Sequence, residues 1–147
     1  MWLKNDLATH PTMCTLAYFH VPRFSSGTDH HSDASTDQMF TALWDDLYSA
    51  GADVILNGHA HEYERFAPLN TDGQIDQVRG IREFVVGTGG DDHHAAGVPV
   101  HGSEVRNSDS FGVLRLTLRA SSYDYQFVND GTPGATNDDH GTASCHQ

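Results

Sequence analysis

Asp53-Val54-Ile55-Leu56-Asn57-Gly58-His59-Ala60-His61-Glu62-Tyr63-Glu64-Arg65 decides how the chain is read. The run 53–56 is short, β-branched and aliphatic, the composition of a buried strand. Gly58 is expected to let the backbone turn sharply where that strand stops. In extended chain, side chains two residues apart point to the same side, so His59 and His61 are expected to converge just past the strand end. Ligands of open α/β sheets bind at that edge, and neutral imidazole is the commonest metal ligand. The spacing leaves two readings open: a metal site, or a pair of histidines in a surface turn.

Upstream, residues 2–8 read as the last turns of a helix, with Trp2, Leu3 and Leu7 on one side and His10-Pro11 ending it. Residues 14–20 read as a strand apolar on both faces, which suits a central position, and Pro22 stops it. A polar loop over 24–35 contains His30-His31. Ser35 then opens a helix, with Gln38 completing a capping box. Phe40, Leu43, Trp44, Leu47 and Tyr48 form its apolar stripe, and Gly51 caps its end. Strand, helix and strand in that order predict a parallel βαβ unit.

Downstream, Asn70-Thr71-Asp72-Gly73 is a turn and residues 82–86 a strand. Gly87-Thr88-Gly89-Gly90 lacks the third glycine and the following helix of a nucleotide loop, so it reads as a tight turn. Asp91-Asp92-His93-His94 is either a cation site or a solvated loop. Leu114, Leu116 and Leu118 alternate with Arg115, Thr117 and Arg119. Tyr123, Tyr125 and Phe127 alternate likewise, so the two runs predict an antiparallel hairpin. Residues 129–147 read as an irregular tail after a domain spanning 1–128.

The 147 residues are one domain's worth. Eight Lys and Arg against 20 Asp and Glu give a net charge of -12. That excludes a nucleic-acid backbone or an anionic membrane as the expected partner. The eleven histidines exceed what one site can use, so most belong to the surface. No apolar run approaches the roughly 20 residues of a transmembrane helix. No apolar stretch follows Met1–Asp6 to make a signal peptide.

Gly58-His59-Ala60-His61 after a hydrophobic strand resembles the last metal-binding motif of the calcineurin-like metallophosphoesterases. Its continuation, His61-Glu62-Tyr63-Glu64-Arg65, is similar to the purple-acid-phosphatase branch. Thr15-Leu16-Ala17-Tyr18-Phe19-His20-Val21-Pro22 resembles the preceding motif, a strand ending in a ligand histidine. Arg23-Phe24-Ser25-Ser26-Gly27 and Ile81-Arg82-Glu83-Phe84-Val85-Val86-Gly87-Thr88-Gly89-Gly90 are similar to secreted bacterial members. The family's opening motifs, Asp-x-His, Gly-Asp-x-x-Asp and Gly-Asn-His-Glu/Asp, do not occur before His20.

The resemblance implies an α/β fold: half of a layered αββα metallophosphoesterase sandwich, a parallel βαβ unit followed by antiparallel hairpin strands. It implies a dinuclear centre of Fe, Zn or Mn that hydrolyses phosphate esters. His20 and His59 would bind one metal and His61 the other, fewer or more weakly without the missing carboxylates. His30 and His31 lie near the offset of the family's phosphate-facing pair and would protonate the leaving group. The alternative for these two is a pair of solvated loop histidines. Cys14 and Cys145 pair as a disulfide by similarity to secreted members; read alone, they are equally two thiols. The complete protein is then secreted or periplasmic, and the missing N-terminal half is a partner of this chain. The alternative is a non-catalytic metal-binding remnant, or a partial fold that binds a partner.

Overall fold

The computed structural model describes residues 2–28, 34–95, 97–131 and 139–146, with the side chains of 34–38 excluded. Its elements run α1 (Trp2–Thr9), β1 (Leu16–Tyr18), α2 (Ala34–Ser49), β2 (Val54–Asn57), β3 (Tyr63–Phe66) and β4 (Arg82–Val86). They continue with β5 (Ser103–Asn107), β6 (Gly112–Leu118), β7 (Ser122–Asn129) and β8 (His140–Ser144).

The expected βαβ unit is present. β1 and β2 pair in parallel with Leu16 opposite Val54, and α2 carries the crossover. β4 joins β2 in parallel and β3 joins β4 antiparallel, giving a five-stranded sheet of order β1-β2-β4-β3-β5. β6, β7 and β8 form a second, antiparallel sheet.

Period-two alternation sorts the first sheet's side chains between two cores. Ile55, Phe66 and Val85 face the helices, against the fully buried Trp44 and against Leu47, Leu3 and Leu7. Val54, Tyr63 and Phe84 face the second sheet, against Tyr123 and Phe127. The layers are therefore helix, sheet, sheet. Gly51 caps α2 with φ of 76°, a conformation glycine adopts freely.

The disulfide is formed: Cys14 and Cys145 are bonded, with Cα atoms 5.3 Å apart. Asp53, nearly buried, sits beside it. One carboxylate oxygen accepts the Thr15 amide at 2.8 Å and the other the His146 amide at 2.7 Å. The residues that follow each half-cystine thus share one acceptor.

Several sequence expectations need correction. Residues 129–147 are not irregular throughout, because β8 pairs with β7 from Ser122–Ser144 to Gln126–His140. Polar His140, Thr142 and Ser144 dilute the strand signal there. β3 and β5 were also hidden, since charged residues occupy positions that normally read as loop. β1 is an edge of its sheet among the described residues, and Tyr18 is 81% exposed there. Trp2 is exposed rather than joining Leu3 and Leu7, and Leu118 is exposed rather than inward. The helix runs from Ala34, one residue before the expected cap, and the Ser35 and Gln38 side chains lie outside the description.

Candidate metal and phosphate site

The parallel pairing of β1 and β2 sets their carboxyl ends side by side. The Gly58 amide donates to the His20 carbonyl at 3.0 Å, extending the ladder by one step. Buried Asn57 reaches back across the same place, with Nδ2 donating to the Phe19 carbonyl at 2.8 Å and to Val21 at 3.4 Å. His20 is therefore gripped on both flanks from the end of β2.

From that position its Nε2 lies 3.1 Å from His59 Nδ1, with the two rings edge to face at 78°. The turn that brings His59 there is made by His59 itself, at φ 61°. This corrects the role expected of Gly58, which has no positive φ. A Cβ on Gly58 would sit 3.7 Å from His20 Nδ1, an ordinary contact. A bulky residue held in the left-handed region costs energy and marks a constrained site.

His61 takes its contacts from a different loop. The turn at His59 departs from the extended backbone expected between the two histidines. His61 Nδ1 lies 2.8 Å from the Asp92 carbonyl, its ring stacks on His94 at 4.0 Å, and its Nε2 is 4.0 Å from Asp91. The loop 91–94 is thus the immediate surrounding of His61. Gly87 permits this crossing of loops, since a Cβ there would fall 1.9 Å from the Ala60 carbonyl oxygen. His30 and His31 lie outside the described residues. Among the described residues, no three His, Cys, Asp or Glu side chains gather as a metal-binding group.

The rest of the motif builds architecture. The Tyr63 hydroxyl donates to Asp139 at 2.5 Å, and Arg65 engages both oxygens of the same carboxylate at 2.7 and 3.2 Å. Arg65 also bonds Glu104 and stacks over Tyr125. Burial works against the Arg65 charge, but the Asp139 bond and charge outweigh it and hold the guanidinium above its ordinary range. These contacts clamp β3 to the entrance of β8 and so join the two sheets.

Three fully buried glutamates lie close to the site strands: Glu62, Glu64 and Glu83. Burial, and then the Glu64 charge, push the Glu62 carboxyl up to about 7. Burial pushes Glu83 up to about 8, partly opposed by two backbone donors. Sequence reading gave none of the three a role of its own; only Glu83, followed by Phe84-Val85-Val86, carries a local signal of a carboxyl inside an apolar strand run.

The described residues thus form a helix-sheet-sheet stack with two imidazoles at the ends of adjacent parallel strands. No family model matches the chain. Purple acid phosphatase 18 of Arabidopsis thaliana is 34% identical over 92 residues, 60% of this chain and 20% of that protein. Purple acid phosphatase PPD1 from yellow lupin seeds superposes with a TM-score of 0.72 at 20% identity, over 99% of this chain and 28% of its own. GAP50, described as the anchor in the inner membrane complex of Plasmodium, superposes with a TM-score of 0.72 at 18% identity, over 98% of this chain and 40% of its own.

Sequence and fold together support a purple-acid-phosphatase-like piece of a calcineurin-like metallophosphoesterase domain. The chain spans about a fifth of the Arabidopsis relative's length.

Proposed function

We propose that this chain is the C-terminal half of a catalytic domain that hydrolyses phosphate esters with two metal ions. The observation that carries the reading is the approach of His20 Nε2 to His59 Nδ1 at 3.1 Å. Two imidazole nitrogens on one tetrahedral zinc, each at 2.0–2.1 Å, lie ~3.3 Å apart. The pair therefore fits as one edge of a coordination shell. His61 would hold the second ion, with Nε2 the nitrogen left for it because Nδ1 is directed at the Asp92 carbonyl. The metals are drawn from Fe, Zn and Mn. When bound they supply Lewis acidity for phosphoryl transfer to water.

The chain's own residues do the rest. His30 and His31, which lie outside the described residues, are the proposed proton donors: as imidazolium they would attract the substrate phosphate and protonate the leaving oxygen. The oxygen ligands that would complete the metal shell are proposed to come from an N-terminal half of the domain, which would be the partner of this chain. The proposed half-domain takes in 1–128 together with β8, which pairs with β7 and leads to the Cys14–Cys145 bond. The disulfide supports an oxidising compartment, secreted or periplasmic, for the whole protein. No helix among the described residues is long and apolar enough to cross a membrane.

The test is zinc calorimetry together with hydrolysis of p-nitrophenyl phosphate. The chain alone should bind zinc weakly, lose that binding in His59→Ala, and hydrolyse the ester barely above background. Adding the N-terminal half, fused or in trans, should restore metal-dependent turnover that His59→Ala abolishes. Turnover by the isolated chain at ~1–10³ per second would overturn this reading.

A second reading has its own support. No third donor joins His20 and His59 among the described residues, and GAP50 shares the fold. On that reading the chain is a non-catalytic metal-binding or partner-binding remnant. Failure of the completed domain to hydrolyse phosphoesters would favour it.

A further inference from the structure

We infer that Glu64 and Glu83 are positioning residues: they pin the segment that leaves the site at His20, and so fix that imidazole against His59. The inference rests on the metal site proposed above.

Glu83 of β4 and Glu64 of β3 occupy adjacent strands and are both fully buried. Phe84 and Tyr63 face the second sheet, so alternation sends their neighbours Glu83 and Glu64 to the helix side. Beyond His20 the described chain runs without helix or extended strand from Val21 to Thr28, and this loop covers that side. Backbone amides buried without partners are costly, and here the two carboxylates receive them. The Arg23 and Phe24 amides donate to the two oxygens of Glu83 at 3.1 and 3.2 Å. The Ser26 amide and hydroxyl donate to the two oxygens of Glu64 at 2.8 and 2.5 Å.

Further contacts lock the same segment. The Ser103 hydroxyl donates to Glu64 at 2.6 Å, and the Val100 amide donates to the Ser26 hydroxyl at 3.0 Å. Phe24 packs edge-on to Trp44, and the Arg23 guanidinium lies over the same indole. Asn57 and Gly58 hold His20 from the side of β2. Glu83 takes hold only three residues later, on the far side of buried Pro22. A chain clamped at both ends of so short a span leaves His20 little freedom. Burying two carboxyl groups has a high desolvation cost, and Gln at position 83 would leave one of the Arg23 and Phe24 amides facing an amide NH2. Both features indicate a placement that a merely apolar filling would not supply.

The experiment uses the 147-residue chain, the variants Glu83→Gln and Ser26→Ala, and His59→Ala as reference. Three quantities are read: amide hydrogen exchange, melting temperature and zinc affinity. Ser26→Ala is small and removes only the hydroxyl that bridges Glu64 and Val100, so it guards against a Glu83 variant that fails to fold. Amides 23, 24 and 26 should exchange at least tenfold faster in the variants that remove their acceptors or lock. Exchange in β2 and β4 should stay within twofold of the parent. Zinc affinity should fall three- to tenfold, measured at a temperature well below both melting points, where parent and variant are fully folded.

Faster loop exchange with unchanged zinc affinity would overturn the inference, because the carboxylates would then only stabilise the loop. Unchanged loop exchange would overturn it whatever zinc does. Parent binding that His59→Ala does not weaken would sink the metal reading itself, and the positioning role with it.

Discussion

Replacing Cys14 and Cys145 together by Ala should lower stability by ~3–5 kcal/mol. The bond joins residues 131 apart in sequence, and the chain-entropy relation gives ~5 kcal/mol for a loop of that size. The realised loss should be somewhat smaller, because Asp53 still accepts the amides of Thr15 and His146. Each such charge-assisted bond contributes ~1.5–3 kcal/mol, so the two ends stay aligned in the folded state without sulfur. Against a total of ~5–15 kcal/mol for a domain, the variant should be marginal at room temperature. Urea unfolding followed by tryptophan fluorescence is a suitable assay. Trp44 is fully buried and reports unfolding, whereas Trp2 is 76% exposed and contributes a nearly constant background. The denaturant slope should also steepen, because the uncrosslinked unfolded chain exposes more surface. A loss below ~1 kcal/mol with an unchanged slope would refute the reasoning.

Other consequences can be measured directly. His59→Gly should raise stability by about 1 kcal/mol by relieving the positive φ, while removing zinc binding; calorimetry and melting on the same sample check both. Gly87→Ala should destabilise by several kcal/mol, because its Cβ would meet the Ala60 carbonyl at 1.9 Å and push the loops apart; a shift in urea midpoint of less than 1 kcal/mol equivalent would contradict this. Asp139→Ala should cost ~3–5 kcal/mol by leaving Arg65 and Tyr63 without their shared acceptor, read from the same unfolding curve. Glu83 binds a proton more tightly folded than unfolded, its carboxyl rising from 4.5 to about 8. Its contribution is therefore complete below about pH 4.5 and is lost as pH rises through about 8, at up to ~1.4 kcal/mol per unit. Glu83→Gln should flatten that slope in a pH series of unfolding midpoints.

The sequence was most legible where one physical rule governed a segment. The α2 stripe, the β2 and β4 runs and the β6–β7 hairpin all follow hydrophobic periodicity, and all are present. Legibility failed where buried polarity replaced it. Glu64 and Arg65 disguise β3, yet Glu64 is sealed under the 21–28 loop and Arg65 is neutralised by Asp139. β8 was unreadable because its strength comes from pairing with β7 and from the disulfide beyond it, neither of which leaves a local pattern. At the site, two histidines of the three were brought to one point and their strand-end placement was correctly read. The surroundings of His61 were not, since they depend on the 91–94 loop and follow a left-handed residue that no period-two argument contains.

The motif from Glu62 to Arg65 divides its labour by strand alternation. Tyr63 and Arg65 meet at Asp139 and bind the second sheet. Glu64 turns the other way and, with Glu83 beside it, secures the loop that follows His20. A single four-residue strand thus links both cores to the imidazole pair. Two buried carboxyl groups are engaged in that linkage: Glu64 of β3 accepts from Ser26 and Ser103, and Glu83 of β4 from two backbone amides. Neither can turn to a metal without releasing the loop that places His20. The oxygen ligands a dinuclear centre needs must therefore enter from outside this set. On the proposed reading they come with the other half of the domain, meeting a histidine edge that this half has already fixed.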